Sequence, residues 1–431
     1  MSTTIEVIMR SFEVPEKDAN NLPVITPFNS TQTKNDFITY SGKAAGICYM
    51  PDNYCSEGMK NVEKAVNRAN GNAKNGHYSV YEHAHITMLI HTTKFMAIVL
   101  NSMYLYSTSE KSARYTQMQP ETDLEKELYD KWVGKFEAVI KGYYGDLKTD
   151  SEIHKLAMEN ARYLTSVFTP TVMEYTVPYN RAILMVGWMD KYIEDINNIY
   201  ECNRFYLKFV KKAVDEITSF KNELMKVLNI SDKNIILTDH KNVYESIKLF
   251  DKGIKDMVDD LDYKFRNTPF MTVEMGFSHT SYDIIYLGSW AQFAQAERHR
   301  TIHYSIYPLS FSVSGYIEDM YFIPEIIKDS PLESEWREDC DNLINNDIMF
   351  QGFKIIIYES GRYANFILKA KERLCSRAQF EIMRQTASSL ETINRNIKLD
   401  SKYSVVPRCR FNGYTCKEPC NIAKWALKRK V

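Results

Sequence analysis

The chain has 431 residues, a length that accommodates about two to three domains, and its formal net charge is −1. Hydrophobic residues make up 44% of it and charged residues 25%, which is typical of a globular protein with a sizeable core. Because this balance creates no general basic field, we expect no nucleic-acid partner. Any site for a polyanion must be a local cluster of cations.

Neither the start of the chain nor its cysteines indicate export. The first residues lack the basic and then apolar run of a signal peptide, and we expect no membrane span, because no uninterrupted apolar segment of about 18 residues occurs. Most of the eight cysteines are scattered, and only Cys409, Cys416 and Cys420 cluster. This usage indicates reduced thiols in the cytoplasm. Three thiolates could bind zinc with a fourth ligand, but their spacing is irregular and we predict no metal site.

Apolar periodicity predicts helices that alternate with short strand-like segments. Residues 1–36 carry several turn formers and are predicted to be a strand followed by a loop. The first half is predicted to contain helices at 57–69, 94–106, 124–143, 154–163 and 183–228, the last with a candidate break near Cys202, together with a strand at 86–91 and a break at 169–171. The second half is predicted to contain helices at 243–265, 289–300 and 363–396, a strand at 282–287 and a strand or helix start at 353–358.

Polar side chains crowd the end of the predicted helix 289–300. Gln295 and Arg298 are three residues apart and His299 follows, so all three share one helical face beside Arg300. Guanidinium groups are fixed cations whose N–H fork suits phosphate oxygens and the carbonyls of flat heterocycles. The alternative is an ion-paired helix end in which Glu297 is the partner.

A second polar segment follows the predicted helix 94–106. In an extended chain, Glu110, Ser112 and Arg114 lie on one side and present an acceptor, a hydroxyl and a guanidinium together. This combination suits the phosphate and the sugar of a nucleotide. The alternative is a solvated polar turn, which these residues by themselves favour.

The late helix carries a further pair of cations. Arg373 and Arg377 are four residues apart, so both could point at one anion. The alternative is a solvated basic stripe, because Lys369 and Lys371 are nearby.

The two halves of the chain pass through similar segments in a similar order. Glu82 and His83 precede an apolar strand in the first half, and Ser278 and His279 precede one in the second. The two histidines are about 196 residues apart, which is longer than a solenoid repeat. We therefore predict a tandem pair of related domains, residues 1–228 and residues 229–431.

Three features make the chain resemble the flavin-dependent thymidylate synthases, in two diverged tandem copies. That family has a His-x-x-x-x-Glu-His segment, an Arg-His-Arg at a helix end that precedes a Glu-x-Ser-x-Arg-Tyr loop, and a late helix with an arginine before Ala-Gln-aromatic-Glu-Ile. The first half resembles it in His77, Glu82, His83, Glu110, Ser112, Arg114, Tyr115 and Arg162, and the second half in Gln295, Arg298, His299, Arg300, Arg373, Gln379, Glu381 and Ile382.

Each half lacks what the other retains. Residues 102–104 are Ser-Met-Tyr where the first half should carry Arg-His-Arg. In the second half Pro308 stands in place of the motif serine and Ser278 in place of the glutamate. The family's late-helix Asn-x-Arg flavin contacts have no clear match in either half. Because the family assembles its active site between subunits of a homotetramer, the resemblance implies composite sites from both halves and a homodimer that imitates the tetramer.

The resemblance implies an α+β fold in which each domain is a mostly antiparallel sheet with packed helices. It also implies a flavoprotein methyltransferase of nucleotide biosynthesis that reductively methylates dUMP to dTMP, with FAD as cofactor and with methylenetetrahydrofolate and NADPH as co-substrates. One alternative is the same chemistry on another pyrimidine nucleotide. Another is a nucleotide-binding or assembly protein without catalysis.

The resemblance further assigns roles to residues, with Arg298 and Ser112 as the catalytic pair. Arg298 would contact the pyrimidine carbonyls, while Ser112 and Arg114 would hold phosphate and sugar. The residues implied to bind cofactors are Glu82, His299 and Arg300 for the flavin and His77 near the folate. The residues implied to bind substrate are Gln295, Arg298, Glu110, Ser112, Ala113, Arg114, Arg162 and Arg373.

Overall fold

The computed structural model describes residues 3–10, 30–47, 61–75, 77, 79–103, 106–113, 116–199, 203–229, 270–272, 281–309, 319–396, 407–410, 415–416 and 429–431. Within these residues, helices combine with two antiparallel sheets, which confirms the predicted α+β class. No helix in the described ranges is long and apolar enough to cross a membrane. The predicted helix 243–265 lies outside them, as do Arg114, Tyr115 and Cys420.

The first sheet has four strands in the order β1-β2-β4-β3, and every neighbouring pair is antiparallel. Its strands are β1 (Thr4–Arg10), β2 (His85–Thr93), β3 (Ser107–Glu110) and β4 (Pro170–Pro178). The predicted break at 169–171 is wrong, because β4 starts there and pairs with the whole of β2. Pro170 is tolerated because it is the first residue of the strand.

The second sheet repeats this arrangement with the order β5-β6-β8-β7, again antiparallel throughout. Its strands are β5 (Phe270–Thr272), β6 (Ser281–Ser289), β7 (His303–Pro308) and β8 (Lys354–Arg362). β2 begins at His85 and β6 at Ser281, the same separation of about 196 residues that the sequence indicates. The two sheets fit a tandem pair of domains, and the boundary at 228/229 stays a prediction.

Helices cover both sheets. Those of the first half are α1 (Ser30–Gly46), α2 (Val62–Lys74), α3 (Lys94–Asn101), α4 (Asp123–Tyr144), α5 (Asp150–Ala161), α6 (Tyr179–Asn197) and α7 (Arg204–Leu228). Those of the second half are α8 (Trp290–Ala296), α9 (Pro331–Asn345), α10 (Tyr363–Arg373) and α11 (Phe380–Asn396). Local signals set some of these bounds well. At the start of α4, for example, Thr122 and Glu125 form a capping box.

The two halves share one apolar core. Trp132 of α4 packs edge-on against Trp336 of α9, with 4.8 Å between ring centroids. The Trp132 indole N–H also donates to Asp339 Oδ2 at 2.7 Å. Elsewhere, Gln351 Nε2 donates to Thr165 Oγ1 at 2.7 Å. These contacts hold the second half against α4 and against the segment that follows α5.

Three predicted helices end earlier than expected, and two of these ends form the candidate site. The helix predicted at 94–106 stops at Asn101, and that predicted at 289–300 stops at Ala296. After Ala296 the chain tightens, because the His299 N–H bonds back to the Ala296 carbonyl over only three residues. The helix predicted at 363–396 is two helices, α10 and α11, separated by a turn.

Tertiary hydrogen bonds account for the turn between α10 and α11. Gln379 Nε2 donates to Tyr163 Oη at 2.5 Å, and Glu381 accepts from both Tyr163 and Ser289. Arg373, the last residue of α10, donates through Nη2 to the Gln295 carbonyl at 2.9 Å. Buried polar groups must be hydrogen-bonded, and these bonds are available only if the helix is broken.

Candidate active site

A cavity of ≈ 180 Å³ lies where the two halves meet. The first half contributes the start of α3, the segment after β3 and the end of α5. The second half contributes the end of α8 and the turn between α10 and α11. The lining residues are Lys94, Ile98, Glu110, Lys111, Ser112, Ala113, Arg162, Ala291, Ala294, Gln295, Glu297, Arg298, Gln351, Arg373, Arg377, Ala378 and Gln379.

This cavity gathers most of the residues predicted to bind substrate. Those that line it are Glu110, Ser112, Ala113, Arg162, Gln295, Arg298 and Arg373, while Arg114 lies outside the described residues. The expected extended segment is wrong in one respect, because β3 ends at Glu110. The Thr116 N–H bonds back to the Ser112 carbonyl at 3.1 Å, so a turn follows. Four consecutive residues, 110–113, therefore face the cavity instead of alternate ones.

Glu110 links the two halves at the centre of the cavity. Its Oε1 accepts from Lys94 Nζ at 2.5 Å and from Thr171 Oγ1 at 3.1 Å, and its Oε2 accepts from Arg298 Nη2. Burial by itself would raise the pKa of this carboxyl, but Lys94 and Arg298 outweigh burial and lower it. Glu110 is therefore an anion that orients Arg298.

Glu297, the partner that the sequence suggested for Arg298, does not fill that role. It is 4% exposed, and neither carboxyl oxygen has a hydrogen-bond partner in the described part of the chain. Burial raises its pKa well above the usual range, although the nearby Arg298 lowers it. Burial thus favours the protonated form of this carboxyl, and Arg298 pairs with Glu110 and not with Glu297.

Arg162 lines the cavity and is a buried guanidinium whose hydrogen bonding is incomplete among the described residues. It follows the last residue of α5 and is only 6% exposed. Its Nε and Nη2 atoms have no hydrogen-bond partner among the described residues. A buried guanidinium with unpaired N–H groups is costly, so this position favours a ligand that carries an anion.

The charges around the cavity reinforce this preference. Six lining side chains are cations: Lys94, Lys111, Arg162, Arg298, Arg373 and Arg377. The lining has two carboxyls among the described residues, and the pKa is lowered for Glu110 but raised by burial for Glu297. The cavity is thus strongly cationic in a chain whose net charge is −1, and it can hold an anionic group together with polar groups of a ligand.

Arg373 holds the second half of the site together. Besides the Gln295 carbonyl, its Nε donates to His299 Nε2 at 2.8 Å. Burial, with Arg373 and Lys369, lowers the pKa of His299 to about 2, so the imidazole is neutral. The predicted basic stripe is wrong for Lys369, which is fully buried and paired with Glu359 at 2.5 Å.

The residues predicted to bind cofactors do not share the cavity within one chain. Arg300 turns away and donates to the Tyr106 carbonyl, beside a second cavity of ≈ 20 Å³. Glu82 pairs with Arg181 of α6, and His77 is exposed beyond α2. His299 does not line the cavity, but it accepts a hydrogen bond from Arg373, which does. Of the described residues that line the cavity, none belongs to this predicted set.

Sequence reasoning missed several lining residues. Lys94 begins the predicted apolar helix 94–106, and no motif of the sequence includes it. Gln351 carries no local pattern that points to a site. Arg377 and Gln379 were noticed in the late helix, but only the turn before α11 brings them to the cavity.

Comparison with known proteins relates the first half to one family. Residues 32–183 match the family described as "Thy1: Thymidylate synthase complementing protein". The matched segment contains Glu82, Glu110, Ser112 and Arg162, whereas Arg298 lies outside it. No curated protein matches the chain.

Two solved structures show weak similarity. Both are crystal structures of a UMP/dUMP methylase PolB from Streptomyces cacaoi, bound with 5-Br dUMP and with 5-Br UMP. The first has 18% identity, covers 43% of this chain and 76% of that one, and gives a TM-score of 0.25. The second has 12% identity, covers 53% of this chain and 96% of that one, and gives a TM-score of 0.24. Such scores carry no argument about this chain. The family match stands without them, and it shows that residues 32–183, about a third of the chain, are similar to the thymidylate synthase complementing proteins.

Proposed function

We propose that the chain is a methyltransferase that reductively methylates dUMP to dTMP, with FAD as cofactor and with methylenetetrahydrofolate and NADPH as co-substrates. One observation carries the proposal beyond the family match. The motif residues that the two halves divide between them line a single cavity. A motif divided between two halves can serve catalysis only if folding brings its residues together. Independent loss of motif residues from the two copies would give no reason for the remaining residues to line one cavity.

The charge of the cavity supports a nucleotide monophosphate as the ligand. Arg162 offers two unpaired donors, and Arg373 and Arg377 add fixed cations on the opposite half. Guanidinium groups bind phosphate oxygens through parallel N–H bonds, which are stronger than bonds between neutral groups. We assign the phosphate to this part of the cavity.

Arg298 and Gln295 suit the pyrimidine ring. Arg298 is held by Glu110, so its guanidinium is oriented before a ligand arrives. A fixed cation beside the base carbonyls would stabilise negative charge that develops on the ring during methylation. Ser112 would contact the sugar or the phosphate from the other side of the cavity.

The flavin requires more than one chain. The residues predicted to bind it do not surround the cavity, and ≈ 180 Å³ is below the roughly 300–1,000 Å³ of pockets that enclose a drug-sized ligand. We propose that Glu82 and His77 of one copy complete the site of another in a homodimer. Within one chain the residues present do not fit a flavin, so we assign no chemical step to it here.

A second candidate function is nucleotide binding without catalysis. The scattered positions of Glu82, His77 and Arg300 favour it, because a pure binding protein would not need them together. The same flavin chemistry on a different pyrimidine nucleotide also fits the cavity, since cations do not distinguish the base.

An absorption experiment separates these functions. The purified protein is mixed with FAD, and its visible spectrum is followed while dUMP, UMP and dCMP are added in turn. We expect a bound-flavin spectrum that shifts with dUMP, and turnover to dTMP when methylenetetrahydrofolate and NADPH are present. A shift of the flavin spectrum with UMP or dCMP, and none with dUMP, would identify that other nucleotide as the substrate. Nucleotide binding without any flavin binding would leave the non-catalytic function.

Arg298→Lys serves as the matched variant. It keeps the charge and the ion pair with Glu110 but loses the planar fork. We expect it to lower turnover while the phosphate end of the ligand still binds.

A further inference from the structure

Lys94 is the cation of the cavity that no motif includes. It is the first residue of α3, and the corresponding first residue of α8 in the second half is Trp290. The amine therefore has no counterpart in the other half and belongs to this cavity alone. Its side chain is 13% exposed, and it lines the cavity together with Arg162 and Arg298.

The hydrogen bonds of Lys94 leave part of the ammonium for a ligand. Nζ donates to Glu110 Oε1 at 2.5 Å and to the Lys111 carbonyl at 2.9 Å. A lysine ammonium carries three N–H donors, so these two bonds leave one donor on a side chain that borders the cavity.

The surroundings of Lys94 favour an anion at that donor. Burial lowers the pKa of the amine, Glu110 raises it, and Arg162 and Arg298 lower it. Lys94, Arg162 and Arg298 are thus three of the six cations that line the cavity, and the carboxylate of Glu110 already accepts bonds from two of these three. An incoming anion would relieve the repulsion among them.

We propose that Lys94 is a further phosphate-binding residue of this cavity, donating its remaining N–H to the ligand while it holds Glu110 in place. The inference deepens the proposed function and rests on it for the identity of the nucleotide. Glu110 then orients two cations, because it holds Lys94 toward the phosphate and Arg298 toward the base.

A double-mutant cycle separates the direct contact from the role through Glu110. The four proteins are the wild type, Lys94→Met, Glu110→Gln and the double variant, and isothermal titration gives the affinity for dUMP, deoxyuridine and inorganic phosphate. In the double variant Glu110 is also replaced, so no buried carboxylate loses its lysine partner, and this source of instability is avoided. Lys126→Met removes the same charge from an exposed position on α4 and is the control.

We expect Lys94→Met to weaken dUMP binding about 10-fold or more, and to change deoxyuridine binding less than about twofold. The same loss should appear in the Glu110→Gln background. If the loss vanishes in that background, Lys94 acts only through Glu110 and the inference is overturned. Equal weakening of dUMP and deoxyuridine also overturns it, because the contact would not be to phosphate.

The phosphate titration distinguishes this inference from the proposed function. Wild-type protein that binds inorganic phosphate in a Lys94-dependent way, but not dUMP, would support the anion contact and refute the nucleotide. Binding of neither ligand would refute both.

Discussion

Replacing Arg162 by methionine tests whether the cavity is built for an anion. Arg162 is buried, and two of its nitrogen atoms have no hydrogen-bond partner in the described residues. If a phosphate bonds to them, Arg162→Met removes hydrogen bonds to a charged group, which are worth about 1.5–3 kcal/mol. The affinity for dUMP should then fall about 10- to 150-fold.

The unliganded protein should respond differently. Unpaired buried donors cost about 1–3 kcal/mol each, so their removal is favourable. Methionine loses the position of the guanidinium above the Tyr163 ring, 6.0 Å from its centroid, which contributes about 0.5–1 kcal/mol. The free energy of unfolding should therefore stay within about 1 kcal/mol of wild type or rise.

Two measurements check this prediction. Titration calorimetry at fixed salt gives the dUMP affinity, and urea denaturation without ligand gives the stability. Arg362→Met is the matched control, because Arg362 is exposed at the end of β8. Unchanged dUMP affinity in Arg162→Met would refute the anion site. A loss of more than about 3 kcal/mol of stability would identify Arg162 as a structural ion instead.

Three further predictions concern stability. Trp132→Ala should lower the free energy of unfolding in urea by about 3–5 kcal/mol, because it empties the joint core of the halves, whereas Leu147→Ala, at a side chain 60% exposed, should change it by less than about 0.5 kcal/mol. Lys369→Met should lower the free energy of unfolding by about 3–5 kcal/mol, because it leaves the buried carboxylate of Glu359 without its cation. Adding Glu359→Gln should restore part of this free energy, and no recovery would contradict the ion-pair explanation. The pKa of His299, lowered by burial, Arg373 and Lys369 to about 2, gives stability that is present above pH 6.5 and lost as pH falls. From pH 7 to pH 5 wild type should therefore lose about 2 kcal/mol more than His299→Asn, and equal losses would refute the buried neutral imidazole.

Local sequence patterns placed most helices of the first half, but strands β3, β4, β5 and β7 and helix α9 have no predicted counterpart. The period of apolar residues placed α4 within about one residue at each end, because its capping box and its stripe of core residues are both local. The repeat of about 196 residues between His83 and His279 anticipated two sheets of the same strand order. The missed strand β4 shows the limit, because Pro170 reads as a break unless the pairing with β2 is known.

For the site, the sequence identified residue types but not their contacts. It named Glu110 and Arg298 as members of one composite site, and folding brings them into an ion pair. Their roles toward a substrate stay predictions. It also offered Glu297 as the partner of Arg298, since neighbours in sequence are the natural guess. Distance along the chain does not decide ion pairing, and a residue 188 positions away was the partner.

The sequence by itself determined the repeated order of segments and the motif residues, because periodicity and spacing act over a few neighbouring residues, and the family resemblance of those motifs implied the α+β class. Only the tertiary structure decided where α8 and α10 end, since Arg373, the last residue of α10, bonds the carbonyl of Gln295 near the end of α8. It also decided that Lys94 belongs to the cavity. Both depend on pairing polar groups from distant segments once the core excludes water, and no local pattern encodes that requirement.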